Sequence, residues 1–239
     1  MANPHFQNII QWAGNNTATL IKKDIPMFAP LPSDQTYYQY TNDFMEYTAA
    51  DWTVTAVQIG AGNLTVATQN GAGGQVLLTN AANDQDSGFL QLVKESFLLL
   101  PTKKAFFEAR FKISNATQSR FVMGLQKLDT TPLAATDGVY FIKSDGDTDI
   151  KLNVEKNNTT ITTNGAGVLA DDTFTTMTWM VDPTSGSVFY SQDHGTMKSV
   201  PYLTSLPDDQ TLSVSWGMEN GSAGVKTMVV DYITAIVER

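Results

Sequence analysis

The chain has 239 residues, 42% of them hydrophobic, 10% aromatic and only 16% charged, enough for one large domain around a single core. Fifteen Lys and Arg stand against 24 Asp and Glu, a net charge of −9, and the arginines are Arg110, Arg120 and Arg239, which excludes a nucleic-acid footprint. The absence of cysteine and the presence of only His5 and His194 exclude disulfides, thiolate zinc sites, cysteine nucleophiles and three-histidine metal sites.

Residues 1–35 read as an arm. Asn3 caps and Pro4 opens a short helix on which Phe6, Ile9, Ile10 and Ala13 share a face, with Trp12 beside them and Gly14 ending it. Barely three turns long, it needs a surface to pack against. Residues 25–33 (IPMFAPLPS) hold three prolines, so they run extended, as neither helix nor central strand, and offer Met27, Phe28 and Leu31 for contact. The arm either grips a partner or folds back on its own domain. No stretch reaches the roughly 20 apolar residues of a membrane span, and the N-terminus lacks a secretion signal, so no membrane contact is expected.

From residue 36 the pattern alternates with period two. Phe107, Ala109, Phe111 and Ile113 oppose Glu108, Arg110 and Lys112, which read as an outward charge ladder. Ile150, Leu152 and Val154 alternate with Lys151, Asn153 and Glu155, Met177, Trp179 and Val181 with Thr176, Thr178 and Met180, and Leu212, Val214, Trp216 and Met218 with Ser213, Ser215 and Gly217. Residues 228–237 are apolar on both faces apart from Asp231 and Thr234, which predicts a central, doubly covered strand. Turn pairs punctuate the runs: Asn70-Gly71, Asp137-Gly138, Asp145-Gly146, Asn164-Gly165, Ser185-Gly186, His194-Gly195 and Asn220-Gly221. A dozen or so strands with tight turns define an all-β, two-sheet antiparallel sandwich over residues 36–239.

Motifs for chemistry are few. Asp145, Asp147 and Asp149 alternate on a tight turn and could converge oxygens on calcium, although Ile150 and Lys156 stand where an EF-hand needs Gly and Glu. The other reading is a solvated acidic hairpin tip. His194 sits where a hairpin turns, and no G-x-S-x-G pattern supplies a nucleophile for it. A sandwich glycosidase needs two carboxylates at alternate positions of one strand, and no E-x-D-x-x-E occurs. Trp52, Trp179 and Trp216 fall in step with apolar neighbours and belong to the core. Tyr37, Tyr38 and Tyr40, in TYYQYTNDFMEY, form either a contact surface for sugar or protein, or a first strand covering an open edge.

Over residues 40–239 the chain resembles the concanavalin A-like jelly-roll sandwiches of tailed-phage and prophage structural proteins. The likeness is carried by NDFMEYTAADWTVT (42–55), FFEARFKISNATQSRFVMGLQ (106–126), TDGVYFIKSDGD (136–147) and the ending LPDDQTLSVSWGMENGSAGVKTMVVDYITAIVER (206–239). It implies a non-enzymatic decoration or cement protein on the outer surface of a phage head, with the major capsid protein as partner, and requires no cofactor. Symmetry suggests homotrimers or self-contact through the arm, and the acidic body would be repelled by packaged DNA. Two alternatives stand beside this role: a carbohydrate-binding module for host surface glycan and, third, a polysaccharide-degrading enzyme.

Overall fold

The computed structural model describes residues 36–202 and 204–239, and 16 strands lie among them. In chain order these are β1 (Tyr37–Asn42), β2 (Trp52–Val57), β3 (Thr65–Gln69), β4 (Gln75–Thr79), β5 (Ser87–Leu92), β6 (Phe97–Leu98), β7 (Ala105–Ile113) and β8 (Ser119–Gln126). There follow β9 (Gly138–Lys143), β10 (Asp149–Lys156), β11 (Thr159–Val168), β12 (Thr175–Asp182), β13 (Ser187–Gln192), β14 (Lys198–Pro201), β15 (Thr211–Asn220) and β16 (Thr227–Glu238). Sheet I runs β14-β13-β12-β7-β16-β4-β3, with β1 added on β16. Sheet II runs β11-β10-β9-β8-β15-β5-β2, with β6 on β15. Every pairing is antiparallel, as the alternating patterns require.

The apolar sets read from the sequence all face the space between the sheets. Phe107, Phe111, Trp179, Trp216, Leu152 and Val214 are completely buried there. Phe107 stacks on Trp179 at 5.7 Å, and Trp52 meets Trp216 edge-on at 5.9 Å with Phe44 beside both. Each large apolar side chain so buried contributes about 1.5–3 kcal/mol, and a ring pair about 0.5–1.5 kcal/mol more. The residues 228–237 predicted to be central lie in β16, which pairs with β7 along one edge. Its other edge is divided, Thr227–Val230 to β4 and Ile233–Glu238 to β1.

One predicted turn is corrected. Asn164-Gly165 lies inside β11, where a register shift against β10 and φ 66° at Gly165 mark a bulge. The β10–β11 turn is made instead by Asn157 and Asn158, at φ 50° and 62°. Asparagine tolerates the left-handed region that a two-residue hairpin demands, so glycine is not needed. Asp137-Gly138 likewise opens β9.

In the middle of sheet II, Gly217 holds φ 151°, and a Cβ there would fall 2.3 Å from the Gly88 carbonyl oxygen and 2.5 Å from Phe89 Cα. Those are backbone atoms that cannot move aside without breaking the β15–β5 ladder. Gly217→Ala is therefore expected to destabilise the fold by about 2–4 kcal/mol, measured by urea unfolding.

Candidate functional site

The outer face of sheet II is shallow at its centre because its residues there are small. Gly124 of β8 and Gly217, Ser215 and Ser213 of β15 form a trough flanked by Phe89 of β5 and Tyr140 of β9. The loop 127–137 folds back over this trough. Gln91 Oε1 accepts the Asp129 N–H at 3.0 Å, while Gln91 Nε2 donates to the Lys127 carbonyl at 3.2 Å and to Ser215 Oγ at 2.8 Å. Gln126 Nε2 donates to the Pro132 carbonyl at 3.0 Å. Leu133 and Ala135 pack onto Phe89, Val122 and Tyr140. The centre of the face is thus closed by the protein's own chain, and Gln91, Gln126, Ser213 and Ser215 are buried.

What stays open is a cleft of about 270 Å³ between this loop and the β2–β5 edge. Its walls are Thr55, Val57, Phe89, Pro132 and Leu133, with Thr130 and Thr131 at the rim. One end is an ion pair, Arg120 Nη1 to Glu219 Oε1 at 2.9 Å, between directly opposed residues of β8 and β15. The same pair borders a polar notch of about 290 Å³ lined by Asp84, Gln85, Asp145, Asn220 and Gly221. Buried amides fix the notch loops: Asn220 Nδ2 donates to the Ala81 and Asn83 carbonyls at 2.8 and 2.9 Å, and Asp86 accepts the Ile59 and Asn83 N–H groups. No single motif in the sequence announces this site, since its residues come from five separate segments.

The acidic turn at 145–149 is built around a lysine. The buried Lys143 Nζ sits among the carbonyls of Ser119, Ser144 at 2.9 Å, Asp147 at 2.8 Å and, more distantly, Thr117. Asp147 Oδ1 turns to its own backbone, accepting the Thr148 and Asp149 N–H groups at 2.7 and 3.0 Å. Asp145 lies against Gly221, so the three carboxylates do not converge, and no described group of three His, Asp or Glu side chains is placed to hold a metal. Burial pushes the Lys143 ammonium down to about 8, with Asp145 and Asp147 opposing the fall.

On sheet I the outward charges pair differently from a ladder along β7. Glu108 accepts from Tyr232 Oη and Thr178 Oγ1, each at 2.9 Å, whereas Arg110 pairs with Asp231 and lies 4.2 Å from the Phe174 ring centroid. His194, in the predicted turn at φ 55°, brings Nδ1 to 3.8 Å from Glu108 Oε2. Ser191 shares this face but makes no hydrogen bond to His194, so the nucleophile–base contact of a triad is lacking.

The tyrosines of the first strand point mostly inward. Tyr38 packs on Phe97 with its hydroxyl on the Leu98 backbone, Tyr40 meets Trp52 edge-on, and Tyr37 is buried on the outer face of sheet I. Tyr38 and Tyr40 therefore close an edge of the sandwich. Phe6, Ile9, Ile10, Trp12, Met27, Phe28 and Leu31 lie outside the described residues.

Two sheets of antiparallel strands in this order form a concanavalin A-like jelly roll. Solved structures with the same fold include the endo-1,3-β-glucanase of Streptomyces sioyaensis, at TM-score 0.58 and 15% identity over 88% of this chain and 99% of that one. A glycoside hydrolase family 16 enzyme of Bacteroides ovatus in complex with a G4G4G3G product matches at TM-score 0.56 and 12% identity, over 82% and 99%. The potassium-bound carbohydrate-recognition domain of Emp46p matches at TM-score 0.53 and 10% identity, over 81% and 94%. No family model matches the chain, and no curated protein matches it in sequence.

Two outcomes follow from the polar groups. Lys143→Met leaves several buried carbonyls without a donor and should cost about 3 kcal/mol in chemical unfolding. Burial, reinforced by Glu155, raises the Tyr140 phenol above its usual range, and burial with Glu108 raises Tyr232. Both keep their protons in the fold after the unfolded chain has lost them, so their contribution is complete below pH 10 and is lost as pH rises beyond it. An absorbance titration should show these two phenols ionising only as the protein unfolds, and Tyr140→Phe with Tyr232→Phe should flatten the alkaline loss.

Proposed function

We propose that the protein is a non-catalytic glycan-binding sandwich whose site is the cleft beside Arg120 and Glu219. The observation that carries this reading is the composition of that cleft. It joins apolar surface from Phe89, Leu133 and Val57 to a fixed pair of planar, charged hydrogen-bonding groups. Sugar rings present the complementary surfaces: apolar C–H faces and hydroxyls in the ring plane that bidentate groups can bind. The adjoining notch is acidic, with Asp84, Asp145 and Glu219 against Arg120, and the chain carries −9 overall. A neutral oligosaccharide is favoured over an acidic one.

Hydrolysis is disfavoured by distance. The outward carboxylates on the strands of sheet II are Asp149, Glu155 and Glu219, and register carries Asp149 into the row of Arg120 and Glu219, three strands or about 14 Å from Glu219. Register places Glu155 in one row with Gly138, Gln126 and Ser213, and Glu219 lies six residues further along β15. That is about 20 Å along the strands, where acid and base must stand roughly 5–9.5 Å apart. Glu155 is also committed to Tyr140 and Thr160. On sheet I, Glu108 and Asp231 are engaged by Tyr232 and Thr178, and by Arg110. The glucanases and the carbohydrate-recognition domain that share the fold support a glycan ligand. They lend no support to capsid decoration, the role implied by the phage resemblance.

A glycan array followed by calorimetry tests the reading. Binding to a neutral glycan is expected, weakened at least tenfold, about 1.4 kcal/mol, by Arg120→Ala and by Glu219→Gln. No sugar should be released from mixed-linkage β-glucan. An array without a neutral ligand, or binding indifferent to both substitutions, would overturn it.

A further inference from the structure

One end of sheet II is an open strand edge. β2 pairs with β5 along one side and with no described strand along the other. Its hydrogen-bonding parity follows from the register. The Val93 N–H donates to the Asp51 carbonyl at 3.0 Å, and Asp51 stands one step before the Trp52–Leu92 pair. The odd-numbered residues of β2 therefore bond to β5, and the N–H and C=O groups of Trp52, Val54 and Ala56 point away from it. Six backbone groups are thus aimed outward, and no described residue takes them up. Val54 lies opposite Leu90 on the inner face, yet it is 45% exposed because no described strand lies beyond it. The other strands that end a sheet are guarded or less apolar. β14 carries Lys198 and Pro201, and β11 is bent by its bulge at Gly165. β3 presents no exposed large apolar side chain. The sequence of β2, WTVTAV, holds neither charge nor proline, the usual guards of an open edge.

We propose that two copies of the chain pair through β2, antiparallel, about a two-fold axis at Val54. The register selects this occupant. With Val54 opposite its own counterpart, Trp52 of each copy falls opposite Ala56 of the other. All six outward groups of each strand then find partners. A two-fold axis at Thr53 or Thr55 leaves two groups of each copy unpaired. The side chains agree with the backbone. Thr53 falls opposite Thr55 on the outer face, a favourable cross-strand pair, and the two Val54 side chains cover each other on the inner face. A strand with threonines placed symmetrically about a central valine is complementary to itself. Sheet II then runs through both copies, and the partner's Thr53 stands beside Thr55, a wall of the cleft. The pairing does not depend on what that cleft binds.

Sedimentation equilibrium of the full chain from about 1 to about 500 µM, a range suited to a small interface, tests the pairing. A reversible monomer–dimer equilibrium is expected. Thr53→Lys/Thr55→Lys sets like charges opposite each other across the axis and should weaken the dimer about tenfold or more. Thr53→Lys/Thr55→Glu sets opposite charges there and should restore it. Net charge alone predicts the reverse order, because two added lysines reduce the repulsion between chains that each carry −9. Thr53 is exposed and Thr55 half-buried on the outer face, so both variants leave the core intact. A chain that stays monomeric over the whole range, or a dimer no stronger in the second variant than in the first, would overturn the proposal.

Discussion

The fold depends on how β16 divides its edges. One edge is given to β7 over almost its whole length; the other is shared by β4 and β1. The handover falls at Asp231, where the register against β7 shifts, and Arg110 of β7 pairs with that carboxylate. A bulge at this point bends the strand, and the same residue that creates it carries the charge that pins it. The last strand consequently runs through the interior of sheet I, with the first strand of the described chain paired along part of one edge. The C-terminal residues are therefore part of the scaffold and not a tail.

The ends of the sandwich are secured without disulfides or a described metal cluster. Buried side-chain cations and amides take that role. Lys143 gathers the carbonyls of two loops, Lys226 lies within 3.4 Å of the Ser222, Ala223 and Gly224 carbonyls, and Asn80 and Asn220 tie the loop at 81–86 to β15. An ammonium group offers up to three donors from one flexible stem, so it can satisfy a loop whose carbonyls converge. The turn that carries the alternating aspartates does enclose a cation, the Lys143 ammonium, but backbone carbonyls bind it and the carboxylates do not.

Legibility in the sequence followed the range of each interaction. The inward faces of β7, β10, β12 and β15 were plain, because alternation is local and the core admits few exceptions. The interior position of β16 was plain for the same reason. Asn157-Asn158 was missed because glycine is the stronger turn signal, and Asn164-Gly165 was misread because the same chemistry serves a bulge. The pairing of Arg120 with Glu219, 99 residues apart, leaves no trace in either local segment. Nor does the closure of the trough, since Gln91 and Gln126 look like ordinary outward glutamines until loop 127–137 is placed over them.

Closure of that trough determines where a ligand can be met. With the centre of sheet II occupied by its own loop, the surviving cleft lies at the rim, where Arg120 and Glu219 face each other from adjacent strands. Those two side chains stand on a ladder whose spacing is set by backbone hydrogen bonds, and a rigid strand positions a group more closely than a loop can. Little ordering free energy is then lost when they engage hydroxyls, which favours recognition of a modest ligand by a small site. The same rigidity counts against chemistry, because it holds Glu155 and Glu219 apart along the strands. The sheet would have to break its register to bring them together.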